Sequence, residues 1–237
     1  MRSRCRRSQL VVLRIAAVLT LSTITVILAL PSPLAAGPVL LEGGPHYLYN
    51  GLPFSQNCGN TRYQQIYSSS LFSGPVDILS LAFSPDSSGL YSAVVDIRLT
   101  TTSVAVDGIS SNLDSNFVTP LTTVFSNTAF TQVVTGGPET FSLVFDFAST
   151  PFFYNPASGN LLLDILISDQ TPYMFFSRSE GSGVFSRAYD SEVRGNNTDL
   201  VGLRTLMQAE TAAVPDPGST LLLFGMGLAG LRVWRKR

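Results

Sequence analysis

Apolar and polar residues alternate with a period of two along several stretches in the middle of the chain. Val95, Ile97 and Leu99 alternate with Asp96 and Arg98, and Phe141, Leu143, Phe145 and Phe147 with Ser142, Val144 and Asp146. The rhythm returns with Leu161, Leu163, Ile165 and Ile167 around Leu162, Asp164 and Leu166, and with Val201, Leu203, Thr205 and Met207. Successive side chains of a strand point to opposite faces, so this alternation predicts strands with one face on a core and one toward water. Turn-forming residues separate the runs at Ser84 to Gly89, at Gly136-Gly137-Pro138 and at Asn155 to Asn160. No stretch holds a long helical period. The pattern predicts about eight to ten short strands, in an all-β body built as an antiparallel β-sandwich or jelly roll.

The two ends break this pattern. Arg2, Arg4, Arg6 and Arg7 precede an uncharged run from Ile15 to Leu30, followed by Pro31, Pro33, Ala35 and Ala36. A basic start, an apolar stretch and small residues at a boundary predict a signal peptide helix over 1–36, cleaved near Ala36. At the other end, Val214-Pro215-Asp216-Pro217-Gly218-Ser219-Thr220 leads into an uncharged run from Leu221 to Leu231 and then Arg-Val-Trp-Arg-Lys-Arg. The prolines fix φ and disfavour helix before them, which keeps that approach extended. From Pro217 to Trp234 the segment is long enough for a short transmembrane helix if Arg232 snorkels, and the basic end favours the cytoplasmic side. The chain thus divides into 1–36, a body of 37–212 and a tail of 213–237.

The formal net charge of −1 hides a segregation of charge. The body holds six arginines, no lysine and fifteen carboxylates, so it carries nine net negative charges between two basic ends. An acidic body repels phosphate backbones, which argues against nucleic acid as a partner. Once Cys5 leaves with the signal, Cys58 has no partner for an intramolecular disulfide and is expected to be buried.

The tail resembles the PEP-CTERM sorting domain of Gram-negative bacteria, in which a Pro-Glu-Pro core precedes a hydrophobic helix and an arginine-rich end. Val214, Pro215, Asp216 and Pro217 stand at the core, with Asp for Glu, and Arg235, Lys236 and Arg237 at the basic end. Asp216 for Glu, Gly218 inserted after the core and Arg232 arriving early are its departures from that pattern. The resemblance implies exosortase as processing enzyme and the inner membrane as a temporary partner. It implies a precursor anchored there with its body in the periplasm, then release to the cell surface or the extracellular space. The body is similar to one that recurs among PEP-CTERM proteins in Arg62 to Tyr67 ahead of Leu71-Phe72, in Asp96 to Thr102 and in Gly159 to Ile165. No catalytic activity is associated with it.

Few residues offer chemistry. His46 is the only histidine, no Gly-x-Ser-x-Gly elbow occurs, and His46 and Cys58 do not form a paired zinc motif. No catalytic residue, metal site or cofactor is therefore expected. A glycoside or ester hydrolase would need two converging carboxylates, with Asp77, Asp96, Asp146 and Asp164 as candidates; pairing with Arg98, Arg187 or Arg204, or solvation, is the simpler expectation. Oxygen ligands for calcium are densest between Asp190 and Asp199, where a plain polar loop is expected. Tyr47, Tyr49, Phe152, Phe153, Tyr154, Tyr173, Phe175 and Phe176 form local aromatic clusters, expected to be mostly core. The expected function is that of a non-enzymatic, exported surface or extracellular-matrix protein. The alternative is a carbohydrate-binding module for exopolysaccharide, its ligand-binding residues unassigned.

Overall fold

The computed structural model describes residues 37–212, so the signal peptide and the tail with its predicted transmembrane helix lie outside the described residues. Fourteen antiparallel strands make up the described chain: β1 (Val39–Leu41), β2 (His46–Asn50), β3 (Thr61–Tyr67), β4 (Val76–Phe83), β5 (Gly89–Thr102), β6 (Thr122–Val134) and β7 (Leu143–Asp146), then β8 (Phe152–Tyr154), β9 (Asn160–Thr171), β10 (Phe176–Glu180), β11 (Phe185–Ser191), β12 (Gly195–Asp199), β13 (Val201–Leu203) and β14 (Thr205–Thr211). Its only helices are single 3-10 turns, and no helix among the described residues is long and apolar enough to cross a membrane.

Three sheets form. One runs β1-β14-β4-β7, with β8 also pairing to β4; a second, of six strands, runs β12-β11-β3-β9-β5-β6; a small third runs β13-β10-β2. The alternating residues do what their period demands. Val95, Ile97 and Leu99 of β5, Leu161, Leu163, Ile165 and Ile167 of β9, and Leu143 and Phe145 of β7 are all buried in one apolar cluster shared by the two larger sheets. Phe54, on the segment before β3, sits in the middle of this core. Its ring lies 4.9 Å from Phe83, 5.1 Å from Phe176 and 5.8 Å from Phe145, measured between centroids.

Two strands depart from the simple reading. From Leu161 to Ile165 of β9 both faces are buried, because the segment between β5 and β6 folds back over the outer face of that part of the six-stranded sheet. Its short turns at Val106–Gly108 and Leu113–Asn116 place Val106, Ile109 and Leu113 against Ile66, Leu162 and Ala188, making a second small apolar cluster. The run predicted as one strand from Val201 to Met207 is broken at Arg204. β13 pairs with β10 in the small sheet, whereas β14 lies between β1 and β4. At the break the backbone N–H of Arg204 donates to the Ser177 carbonyl, and its buried side chain reaches out to the more exposed carboxylates of Glu42 and Glu139.

Truncating Phe54 to alanine removes a ring that touches both larger sheets and leaves a cavity. Phe54→Ala should lower unfolding free energy by about 3–5 kcal/mol in chemical denaturation. Val133→Ala, at an exposed position of β6, should change it by less than about 0.5 kcal/mol.

Candidate functional site

The segments that carry the body's resemblance are adjacent strands. Arg62 to Tyr67 is in β3, Asp96 to Thr102 in β5 and Gly159 to Ile165 leads into β9, in the order β3-β9-β5 at the centre of the six-stranded sheet. Their even-numbered residues face outward, away from the main core. Half of that outer face is roofed by the β5–β6 segment and half is open.

At the border between the halves lies Asp164, fully buried. Arg62 and Arg98 hold it from either side: Arg62 Nη2 donates to Oδ2 at 2.8 Å and Arg98 Nη2 to Oδ1 at 2.9 Å. Gln64 Nε2 adds a third donor at 2.8 Å, and Asn116 Nδ2, from the roofing segment, donates to Gln64 Oε1 at 2.8 Å. Arg62 reaches on to Asp114 of the roof at 2.6 Å. A buried carboxylate persists only when its charge is paired and its lone pairs are filled, and all of this is supplied here.

Beyond Asp164 the open half forms a cleft of about 490 Å³ lined by Arg62, Asp96, Leu166, Ser168, Asp190 and Glu192, among others. Asp190 lies opposite Arg62, Arg62 opposite Leu166 and Leu166 opposite Asp96, one row across four strands. Three strand spacings put Asp190 and Asp96 roughly 14 Å apart, wider than the roughly 5–9.5 Å of a glycosidase pair. Glu192 is engaged by the backbone N–H and side-chain amide of Asn60, at 3.0 and 2.7 Å.

The other candidates fall into place around this face. Among the acids, Asp164 meets Arg98 as expected, Asp146 is exposed and accepts from the Ala148 N–H, and Asp77 is half-buried on β4. Arg187 and Arg204 find other partners. Arg187 Nε donates to Asp199 at 2.7 Å, and Arg204 Nη2 to Glu42 at 2.6 Å and to Glu139 at 3.0 Å. Burial opposes the charge of Arg204, but the two carboxylates raise its pKa above the ordinary value. His46 joins that cluster, with Nε2 3.1 Å from Glu42. The Cys58 thiol is buried and free, and burial pushes its pKa up although Arg194 and Arg187 pull it down. The polar stretch from Asp190 to Asp199 makes the β11–β12 hairpin, and no group of three or more potential metal-ligating His, Cys, Asp or Glu residues occurs among the described residues.

The aromatic clusters divide. Tyr154 and Phe176 are core residues, and Tyr154 donates its hydroxyl hydrogen bond to the Gly159 carbonyl at 2.7 Å. Tyr49 is 74% exposed and Tyr173 58%, and each packs edge-on against Phe175, at 5.7 and 5.1 Å. Exposure of this kind is invisible in a list of aromatic positions. In retrospect the signal was the crowding of Tyr47, Tyr49 and Tyr173 beside Gly and Pro, away from any alternating run.

Residues 213–237 match the VPDSG-CTERM motif, a sorting signal of the exosortase type related to the PEP-CTERM signal. No curated protein and no solved structure matches the chain. Against the letters of that motif, Val214, Pro215, Asp216 and Gly218 all agree and Pro217 replaces Ser. Asp216 and Gly218, departures when set against a Pro-Glu-Pro core, are thus regular letters of the related signal. All seven predicted sorting residues, Val214 to Pro217 and Arg235 to Arg237, fall within the matched segment but outside the described residues.

Two outcomes test the ion clusters. Asp164→Ala leaves Arg62 and Arg98 facing each other beside a void, and should cost about 3–5 kcal/mol in urea unfolding; Asp114→Ala, at the exposed end of the same chain of bonds, should cost under about 1 kcal/mol. Glu139 is held below the ordinary glutamate pKa chiefly by the hydrogen bond from Arg204. A depressed folded-state pKa means stability that is present above the unfolded-state value and lost as pH falls through the folded-state one. The Tm of Glu139→Gln should therefore lie below that of the natural chain at neutral pH, and the gap should close below pH 4.5, the ordinary glutamate value; the gap is small because Glu139 is 67% exposed.

Proposed function

We propose that this is an exported, non-enzymatic surface or extracellular-matrix protein whose C-terminal signal routes it and is then removed by an exosortase. The observation that carries the reading is the VPDSG-CTERM match at 213–237, which begins two residues after β14 ends at Thr211. β14 is an interior strand, paired on both sides, and the Ala212 N–H donates to the Pro75 carbonyl. The described strands thus end just before the matched segment begins. In this reading the N-terminal signal peptide exports the chain, and the run from Leu221 to Leu231 holds the precursor in the inner membrane with its β-sandwich body in the periplasm. The proline-bearing Val214 to Gly218 segment presents the cleavage region, and the cleaved body reaches the cell surface or the medium. A structural role for the body is supported by what its reactive side chains do: Asp164 is neutralised by two arginines, Cys58 is a buried thiol, and His46 lies against Glu42.

A second reading, carbohydrate binding, is favoured by one observation. Tyr49, Phe175 and Tyr173 form a surface cluster of rings in contact with one another. Flat, partly exposed rings of this kind suit stacking against sugars.

Removing residues 213–237 should abolish retention in the membrane fraction and leave the body in the periplasm instead of at the surface or in the medium. Fractionation with antibody detection of the body reads this directly. An unchanged distribution between membrane, periplasm and medium would rule out the sorting role.

A further inference from the structure

Half of the arginines of the body meet in one pocket. Arg178 of β10, Arg187 of β11 and Arg194 of the β11–β12 hairpin line a recess of about 180 Å³ together with Tyr49, Asn50 and Tyr189. In a body with six cations and fifteen carboxylates, ready pairing of every arginine is the expectation. Arg62, Arg98, Arg187 and Arg204 are indeed paired, but Arg178 and Arg194 have no carboxylate within 4 Å among the described residues.

The rest of the pocket is arranged around these guanidiniums. Arg187 is buried and fixed: Nε and Nη2 donate to Asp199 at 2.7 and 2.8 Å, and Nη1 to Asn50 Oδ1 at 2.7 Å. Arg178 lies over the Tyr47 ring, with Cζ 5.6 Å from its centroid, and its buried Nε has no hydrogen-bond partner. Glu180, close in sequence, accepts instead from the Tyr47 hydroxyl at 2.8 Å. Of these three guanidiniums only Arg187 has a carboxylate within 4 Å among the described residues, and Arg178 and Arg194 have none. Like charges gathered in this way repel unless an anion joins them, and a guanidinium presents a planar fork that matches a carboxylate.

The lip of the pocket narrows the ligand further. Tyr49 forms part of its wall and is also the first ring of the exposed Tyr49–Phe175–Tyr173 cluster. Its backbone sits at φ 68°, a left-handed conformation costly for a tyrosine, and its N–H donates to Asp86 at 2.8 Å. A recess of this size takes a carboxylate and part of the ring that bears it, and the adjoining surface is aromatic.

We infer that the Arg178–Arg187–Arg194 pocket binds the carboxylate of an acidic sugar, a uronic-acid residue whose ring rests on Tyr49. This rests on the carbohydrate-binding reading and specifies its ligand. Calorimetric titration of the full chain in mild detergent tests it, with a galacturonate trisaccharide, the matching neutral galactose trisaccharide and polyglutamate as probes. The galacturonate should bind, the other two at least about tenfold more weakly, as expected for lost charge-assisted hydrogen bonds. Arg194→Gln, an exposed position with little bearing on folding, and Arg178→Gln should each weaken galacturonate about tenfold or more, and added salt should weaken it further. Tyr49→Ala should reduce galacturonate binding while leaving the melting curve in place. Equal binding of the neutral trisaccharide would leave carbohydrate recognition standing and overturn the anion site. Equal binding of polyglutamate, insensitivity to Arg194→Gln, or no binding by chain with a native circular dichroism spectrum would also overturn it.

Discussion

A fully buried carboxylate at the centre of a sheet constrains much of this body. Asp164 stands on the outer face of β9, where a strand of an open sheet would ordinarily meet water. The segment between β5 and β6 covers that face, so the charge must be neutralised from within, and Arg62, Arg98 and Gln64 do this from the two neighbouring strands. Asn116 ties the roofing segment to Gln64, and Asp114 ties it to Arg62. Placement of the roof, register of three strands and position of the open cleft are therefore coupled through one ion. Such a network adds little net stability over an apolar core of the same shape, but removing Asp164 leaves Arg98 without its carboxylate.

The same economy of charge organises the other end of the molecule. With six arginines available, one is spent on closing the N-terminal segment against the body. Arg204 receives Glu42 from the chain before β2 and Glu139 from the loop before β7, stands over the ring of Phe141, and splits the last apolar run between two sheets. Arg62 and Arg98 serve the roof, and Arg187 serves Asp199. Among the described residues only Arg178 and Arg194 are left without a carboxylate within 4 Å, and both line the same recess. Because the structural duties of four arginines are accounted for by geometry, the position of the remaining two carries information.

How much of this was legible in the sequence depends on the kind of interaction. Period-two alternation located β5, β7, β9 and the β13–β14 region, and the turn residues from Ser84 to Ser88 and from Gly136 to Pro138 fell between strands, with Gly89 already opening β5, since these signals are local. The count of strands was low because three-residue strands such as β1, β8 and β13 are too short to show a period. Burial of both faces of the first half of β9 was not legible, since Leu162 and Leu166 are both apolar residues at outward positions and only Leu162 is covered, by a segment about fifty residues away in sequence. Arg98 stood among the partners expected for the strand carboxylates, and Asp164 meets it; the partners of Arg187 and Arg204 were not foreseen, because they sit in loops and edge strands whose places only the tertiary fold sets. The exposed rings of Tyr49 and Tyr173 and the buried ring of Tyr154 look alike in a sequence.

Body and tail divide the labour. The described body is all-β with its polar chemistry directed mostly inward, and residues 213–237 carry the letters Val-Pro-Asp-x-Gly of a sorting motif. The central claim is that this address is cut away. Mass spectrometry of the C-terminal peptide of protein recovered from the cell surface or the medium tests it most directly. The account predicts chains that end within or just after Val214 to Thr220 and lack everything from Leu221 onward; cell-free chains still ending at Arg237 would contradict it.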